Sequence, residues 1–172
     1  FERLAAGEAL MTALGAELEA EYGSLTEAFD EFATYNLFTN NLAVSNHGYR
    51  DADRFWGVDV ESQDVTGPFN WNLDAEPLAA RSVPLDFDDP LTLKMTAIDE
   101  FDGQPAFIAV NRDEYEASGT THVLGMDEAT RFEPEQSPLH IVVSNGFTDD
   151  RRAATLQVRY PDDGGEDIPD AG

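Results

Sequence analysis

From residue 78 to residue 160, apolar side chains recur at every second position, the spacing that places them on one face of a β-strand. Val83, Leu85 and Phe87 alternate with Pro84 and Asp86, and Leu91, Leu93 and Met95 alternate with Thr92, Lys94 and Thr96. Leu139, Ile141 and Val143 alternate with His140 and Val142. Ala154, Leu156, Val158 and Tyr160 alternate with Thr155, Gln157 and Arg159. Shorter segments at 107–110, 121–124 and 129–132 bring the total to about seven strands. Turn clusters divide them: Asp88-Asp89-Pro90, Asp102-Gly103, Ser118-Gly119, Pro134-Glu135 and Asn145-Gly146. Short strands with a turn every 8–12 residues or about that are the pattern of an antiparallel β-sandwich, here expected to be immunoglobulin-like. Alternation in place of continuous apolar runs predicts one solvent-facing side for each sheet.

The first part of the chain carries the other period. Leu10, Met11, Leu14 and Leu18 fall at helical spacing, with Glu8, Glu17, Glu19 and Glu21 mostly opposite. Gly23 ends that pattern, and Ser24-Leu25-Thr26-Glu27 is a capping box, in which the Ser24 oxygen and the Glu27 carboxylate satisfy free backbone N–H groups. Leu25, Ala28, Phe29, Phe32 and Ala33 form one apolar face, continued by Tyr35, Leu37 and Phe38. Two helices joined by so short a turn predict an antiparallel hairpin. The expected class is therefore α+β: a helical hairpin over 1–44, an aromatic-anchored connector over 45–76 holding Trp56, Phe69 and Trp71, a β-sandwich over 77–160, and a disordered acidic tail over 161–172. Two helices expose too much apolar surface to be stable alone, so Phe29, Phe32 and Phe38 are expected to pack on the β region or on another polypeptide.

Charge narrows the function classes. The 172 residues include 35 acidic and 10 basic ones, a formal net of −25. Such a field opposes nucleic-acid phosphates and anionic lipid, and it attracts cations. No apolar run reaches the roughly 18 residues of a membrane helix, so no membrane span is expected. The chain opens Phe1-Glu2-Arg3-Leu4, without Met and already in a helical pattern, as expected of a fragment or a processed product. An exported protein or a high-salt habitat fits the acidity, and an extracellular or cell-surface location is expected.

Chemistry is sparse. The chain has no Cys, and it lacks H-E-x-x-H, G-x-S-x-G, G-x-x-x-x-G-K and G-x-G-x-x-G. His47, His122 and His140 lie in separate segments, without the short-spaced ligand pair of a zinc site. His140 falls on the polar phase of its strand. No catalytic residue and no bound cofactor is read from this chain. Calcium is the candidate metal, because it takes several oxygen ligands from a turn. Asp86, Asp88 and Asp89 are its best candidate ligands; Asp99, Glu100 and Asp102, or Asp149 and Asp150 beside Asn145, are weaker ones. Trp56, Phe69 and Trp71 also suit a sugar-stacking platform, although buried anchoring is the commoner use of such rings.

One resemblance rests on Glu21-Tyr22-Gly23-Ser24-Leu25, then Phe29, Phe32-Ala33 and Tyr35-Asn36-Leu37-Phe38-Thr39. This segment resembles the helix that follows the zinc-binding helices in large secreted bacterial metalloprotease-like proteins of the myxobacterial type. There it is followed by an irregular connector and a C-terminal β-sandwich. The resemblance implies that the zinc ligands and catalytic Glu lie upstream of Phe1. It makes this chain a non-catalytic accessory region, its sandwich stabilising or binding, with an upstream catalytic domain packed on Phe29, Phe32 and Phe38. The alternative is a stand-alone acidic surface or assembly component whose sandwich binds carbohydrate, calcium or a partner subunit.

Overall fold

Strand-forming side chains and short turns between residues 63 and 160 build two stacked sheets. The computed structural model describes residues 16, 18–39, 42–49, 51–54, 63–98, 101, 103–147 and 149–160. The strands are β1 (Gln63–Asp64), β2 (Phe69–Ala75), β3 (Ala79–Asp86), β4 (Leu91–Ala97), β5 (Ala106–Asn111), β6 (His122–Val123), β7 (Ala129–Phe132), β8 (Leu139–Asn145) and β9 (Arg152–Arg159). The five-stranded sheet has the order β1-β3-β8-β5-β6 and the four-stranded sheet the order β2-β9-β4-β7. All pairings between these strands are antiparallel except the short parallel contact of β1 with β3. Between the sheets lies the main core. Leu85, Phe107, Leu139 and Ile141 from one sheet meet Leu73, Leu93, Met95, Leu156 and Val158 from the other.

The connectivity departs from an immunoglobulin-like sandwich. Immunoglobulin sheets hold several pairs of consecutive strands side by side. Here β5 and β6 are the one consecutive pair bonded together among the described strands. The chain otherwise crosses from sheet to sheet at successive turns, β2 to β3 to β4 to β5. Period two places a residue on a face, but it does not say which sheet its strand joins. Two further elements correct the expected segmentation. Phe69–Ala75, within the expected connector, is a full strand paired with β9, and its Phe69 and Trp71 pack against the main core. Helix α2 (Arg112–Ser118) interrupts the expected all-strand region. Asn111 caps α2 by accepting the Glu114 N–H at 2.9 Å, and Gly119 closes it in the left-handed conformation at φ 70°.

The expected α+β class with a helical hairpin is also corrected: the described residues are mostly strand. Their one long helix is α1 (Leu25–Leu37), preceded by helical residues 18–22 and the Gly23 turn. Most of the expected first helix, the tail over 161–172, Trp56, Asp99, Glu100 and Asp102 lie outside the described residues. Ser24 caps α1 through the Glu27 N–H at 3.0 Å. The helix then lies on the outer face of the five-stranded sheet, where Ala33, Thr34 and Leu37 are buried. Ala33 and Leu37 form a second apolar cluster with Phe38, Val44, Ile108, Val110, Tyr115 and Val142. That cover explains why all seven residues of β8 are buried, against the expected single wet face, whereas β4 buries Leu91, Leu93 and Met95 and leaves Thr92, Lys94 and Thr96 partly exposed. Two contacts fasten the helix. The Ser144 hydroxyl donates to Asp30 Oδ1 at 2.6 Å, and a Cβ on Gly146 would stand 2.7 Å from the Thr26 Cα, so only Gly admits so close an approach. Burial holds the Asp30 carboxyl above its ordinary value, partly opposed by the Ser144 bond.

His140 is a further correction. Its neighbours across the sheet are Pro84 and Val110, and the helix side of β8 is covered, so the ring is 4% exposed rather than on the surface. Its Nδ1 has no hydrogen-bond partner. Burial pushes its pKa below the ordinary 6.5, with the charge of Asp86 pulling weakly the other way. A folded pKa below the unfolded one means that the unfolded chain binds more protons, so stability falls as pH drops below about 6.5. Urea titrations between neutral and mildly acidic pH are expected to show this loss in the wild type and a flatter profile in His140→Gln. Parallel profiles would show that His140 is not responsible.

Candidate functional site

Two surfaces stand out, one apolar and one acidic. The apolar one follows from how α1 is rolled. Successive residues turn by about 100° around a helix, so with Ala33 and Leu37 facing the sheet, Phe32 and Leu25 stand at the flank. The expected single apolar face is therefore split between sheet and solvent. Phe32 remains 50% exposed, and Tyr22 38%. Phe29 lies 5.8 Å from Phe32, ring centre to ring centre. Across from them stand Tyr49 and Leu78, and Leu78 is 40% exposed. These side chains border two adjoining hollows of about 470 and 710 Å³, with Phe29, Phe32, Tyr49 and Leu78 lining both. Leu18, Leu25 and Ala28 extend the trough at one end, and Ala80, Arg81 and Val142 at the other.

Polar groups hold the walls in place. The Tyr35 hydroxyl donates to Glu31 Oε1 at 2.6 Å, and its ring meets Tyr49 edge-on at 5.7 Å. The Tyr49 hydroxyl donates to Asn36 Oδ1 at 3.2 Å. The Glu31 bond, aided by burial, raises the Tyr35 phenol far above its ordinary value, and burial raises that of Tyr49. Both phenols therefore stay neutral at physiological pH. They act as rigid walls and hydrogen-bond donors, not as bases.

Of Phe29, Phe32 and Phe38, expected to pack on the β region or on another polypeptide, Phe38 takes the β region, which corrects its place among the residues an upstream partner would cover. It is fully buried inside this chain, stacked on Tyr115 at 4.5 Å with the ring planes 10° apart. Burial, followed by the nearby charge of Glu31, pushes the Tyr115 phenol up to about 12. Phe29 and Phe32 remain at the surface of the trough. Leu78 and Tyr49 were not singled out from the sequence. The signal available for Leu78 was Glu76-Pro77, a turn opener.

The acidic surface is a cleft of about 1040 Å³ at one end of the sandwich. Asp86, Asp88 and Asp89, the calcium candidates, all line it, together with Asp64, Arg131, Ser137 and Tyr160. The structure brings the three to one cleft but does not gather them as ligands. Among the described residues, no three Asp, Glu or His side chains are placed to hold one metal ion. Asp86 ends β3 beside Asp64, whereas Asp88 and Asp89 sit on the turn to β4, where strand geometry no longer aims side chains at a common point. Several polar groups of the wall are already used: the Tyr160 hydroxyl donates to the Val65 carbonyl, Arg131 Nε donates to Glu133 at 2.8 Å, and Ser137 Oγ accepts the Phe87 N–H at 3.1 Å. Asp149 and Asp150 lie elsewhere, beside Arg152 and Asn145. The histidines stay apart in role: His122 Nε2 lies 3.1 Å from Glu114 Oε2, and the His47 ring lies 5.4 Å from that of Tyr115, tilted by 56°.

No protein-family model matches this chain, and no curated protein matches it. Among solved structures, PliG from Salmonella Typhimurium, a periplasmic lysozyme inhibitor of g-type lysozyme, aligns with 58% of this chain and 96% of its own. The identity is 4% and the TM-score 0.30, and a likeness this slight carries no argument. Among the described residues no helix is long and apolar enough to cross a membrane.

Proposed function

We propose that this chain is a non-catalytic binding module of an exported protein, which docks a helix of another polypeptide in the apolar trough along α1. The observation that carries the reading is the trough itself: Tyr22, Phe32 and Leu78 stand exposed around hollows that no described residue fills. Exposed apolar patches of this kind, rimmed by charge, mark interaction surfaces. A trough running along a 13-residue helix, about 20 Å long, suits the apolar stripe of a second helix. Charge selects among occupants. Glu27, Asp30 and Glu31 lie on α1, Glu19 and Glu21 precede it, and the whole chain carries −25. A second copy of this chain would meet strong like-charge repulsion, so the fitting partner has an apolar stripe flanked by Lys or Arg. The resemblance of residues 21–39 to secreted metalloprotease-like proteins supports a catalytic domain upstream as the source of that helix.

A direct test uses two synthetic amphipathic helices, one built of Leu and Lys and the other of Leu and Glu, with binding followed by fluorescence anisotropy. The Leu/Lys helix is expected to bind the wild type and to weaken at least about tenfold on Phe32→Ser, which leaves the charge unchanged. Equal binding to both proteins would reduce the interaction to net charge and sink the reading. The acidic cleft beside Phe69 and Trp71 supports a second reading, a sandwich that binds calcium or carbohydrate. A melting temperature raised by calcium in the wild type but not in Asp88→Asn would favour its calcium form.

A further inference from the structure

Resting on that docking reading, we infer that Leu78 is a specificity-determining anchor of the trough, held there against its own backbone preference. Residues 76–79 form the turn between β2 and β3, closed by the Ala79 N–H donating to the Glu76 carbonyl at 3.1 Å. Pro77 takes the second place, which suits its fixed φ, and Leu78 takes the third with φ 52°. That third place favours Gly or Asn, because at positive φ a Cβ crowds the neighbouring carbonyl oxygen. A turn needed only to join two strands is best served by Gly. Leu instead projects a branched apolar side chain that stays 40% exposed and borders both hollows. The Leu78 N–H donates to the Phe147 carbonyl at 3.1 Å, which ties the turn to the loop that follows β8 and fixes where the side chain stands. Among the described residues the other non-glycine with positive φ is Asp127, a residue type that tolerates it. Backbone outliers that persist concentrate at ligand clamps. At Leu78 the outlier coincides with an exposed apolar side chain facing Phe29 and Phe32, and the partner this arrangement fits lays its apolar stripe between them.

The test is Leu78→Gly and Leu78→Asn, measured beside Phe32→Ser for thermal stability and for binding of the Leu/Lys helix. Both Leu78 variants are expected to melt at the wild-type temperature or about 2–4 °C above it, and to bind the helix about tenfold more weakly. Melting below the wild type would make Leu78 a residue of the fold and overturn the inference. Wild-type affinity in the Leu78 variants, with binding lost in Phe32→Ser, would overturn the inference and leave the docking reading standing. Unchanged affinity in all three would overturn the docking reading itself.

Discussion

Replacing Phe38 with Ala lowers the unfolding free energy by about 3–5 kcal/mol, the range for emptying a fully buried aromatic site. Phe38 closes the C-terminal end of α1, its N–H donating to the Tyr35 carbonyl at 3.1 Å, and its ring is buried face to face with Tyr115. Leu37, Val44, Val110 and Val142 share the cluster. Removing the ring therefore leaves a cavity between α1, α2 and the sheet, where fixed elements collapse only partly. Phe32→Ala, at a half-exposed position on the same helix, is expected to change stability by no more than about 0.5 kcal/mol. Urea unfolding of both variants, followed by circular dichroism, makes the comparison. Equal losses at the two positions would contradict the assignment of Phe38 to the fold and Phe32 to the surface.

Asn145→Ala is expected to cost about 3 kcal/mol, through hydrogen bonds rather than volume. Asn145 is fully buried at the end of β8. Its amide donates to the Ala75 carbonyl at 3.0 Å and to the Asp150 carbonyl at 2.8 Å, and its oxygen accepts the Phe147 N–H at 3.1 Å. One side chain thus joins the end of β2, the turn after β8 and the approach to β9, bridging the two sheets. Alanine leaves the buried Ala75 carbonyl without its partner, and it frees the Asp150 carbonyl and the Phe147 N–H, which lie nearer the surface, from the side chain that holds them together. Because Phe147 also receives the Leu78 N–H, the loosened turn is expected to exchange its amide protons faster at Leu78 as well as at Phe147. Hydrogen exchange measured at those two amides checks this. Protection unchanged at both, with stability unchanged, would remove Asn145 from its bridging role.

Strand positions were legible because alternation is a local property. Leu91, Leu93 and Met95 needed no partner in view to be read as one face. The Ser24 cap was legible for the same reason, since its hydrogen bond closes within one turn. The strand Phe69–Ala75 was hidden by its Asn and Trp residues and by the turn signals around it. Helix α2 was hidden because seven residues hold too few turns to show a period. Asp86, Asp88 and Asp89, read from the sequence as calcium candidates, line one cleft, which their spacing alone did not reveal. Acidic residues near one another in sequence need not aim at one point.

The amino-acid sequence by itself determined the strand faces, the capped helix and the acidity of the surface, all of which follow from spacing or composition. Only the tertiary structure decided the sheet to which each strand belongs, the burial of His140 and both faces of β8, and the roll of α1 that hides Phe38 while leaving Phe32 outside. Each of these depends on contacts between residues far apart in the chain: Ser144 with Asp30, Gly146 with Thr26, and Phe38 with Tyr115. Local periodicity says which side chains share a face. What covers that face is set by long-range packing, which leaves no mark on the spacing of neighbouring residues.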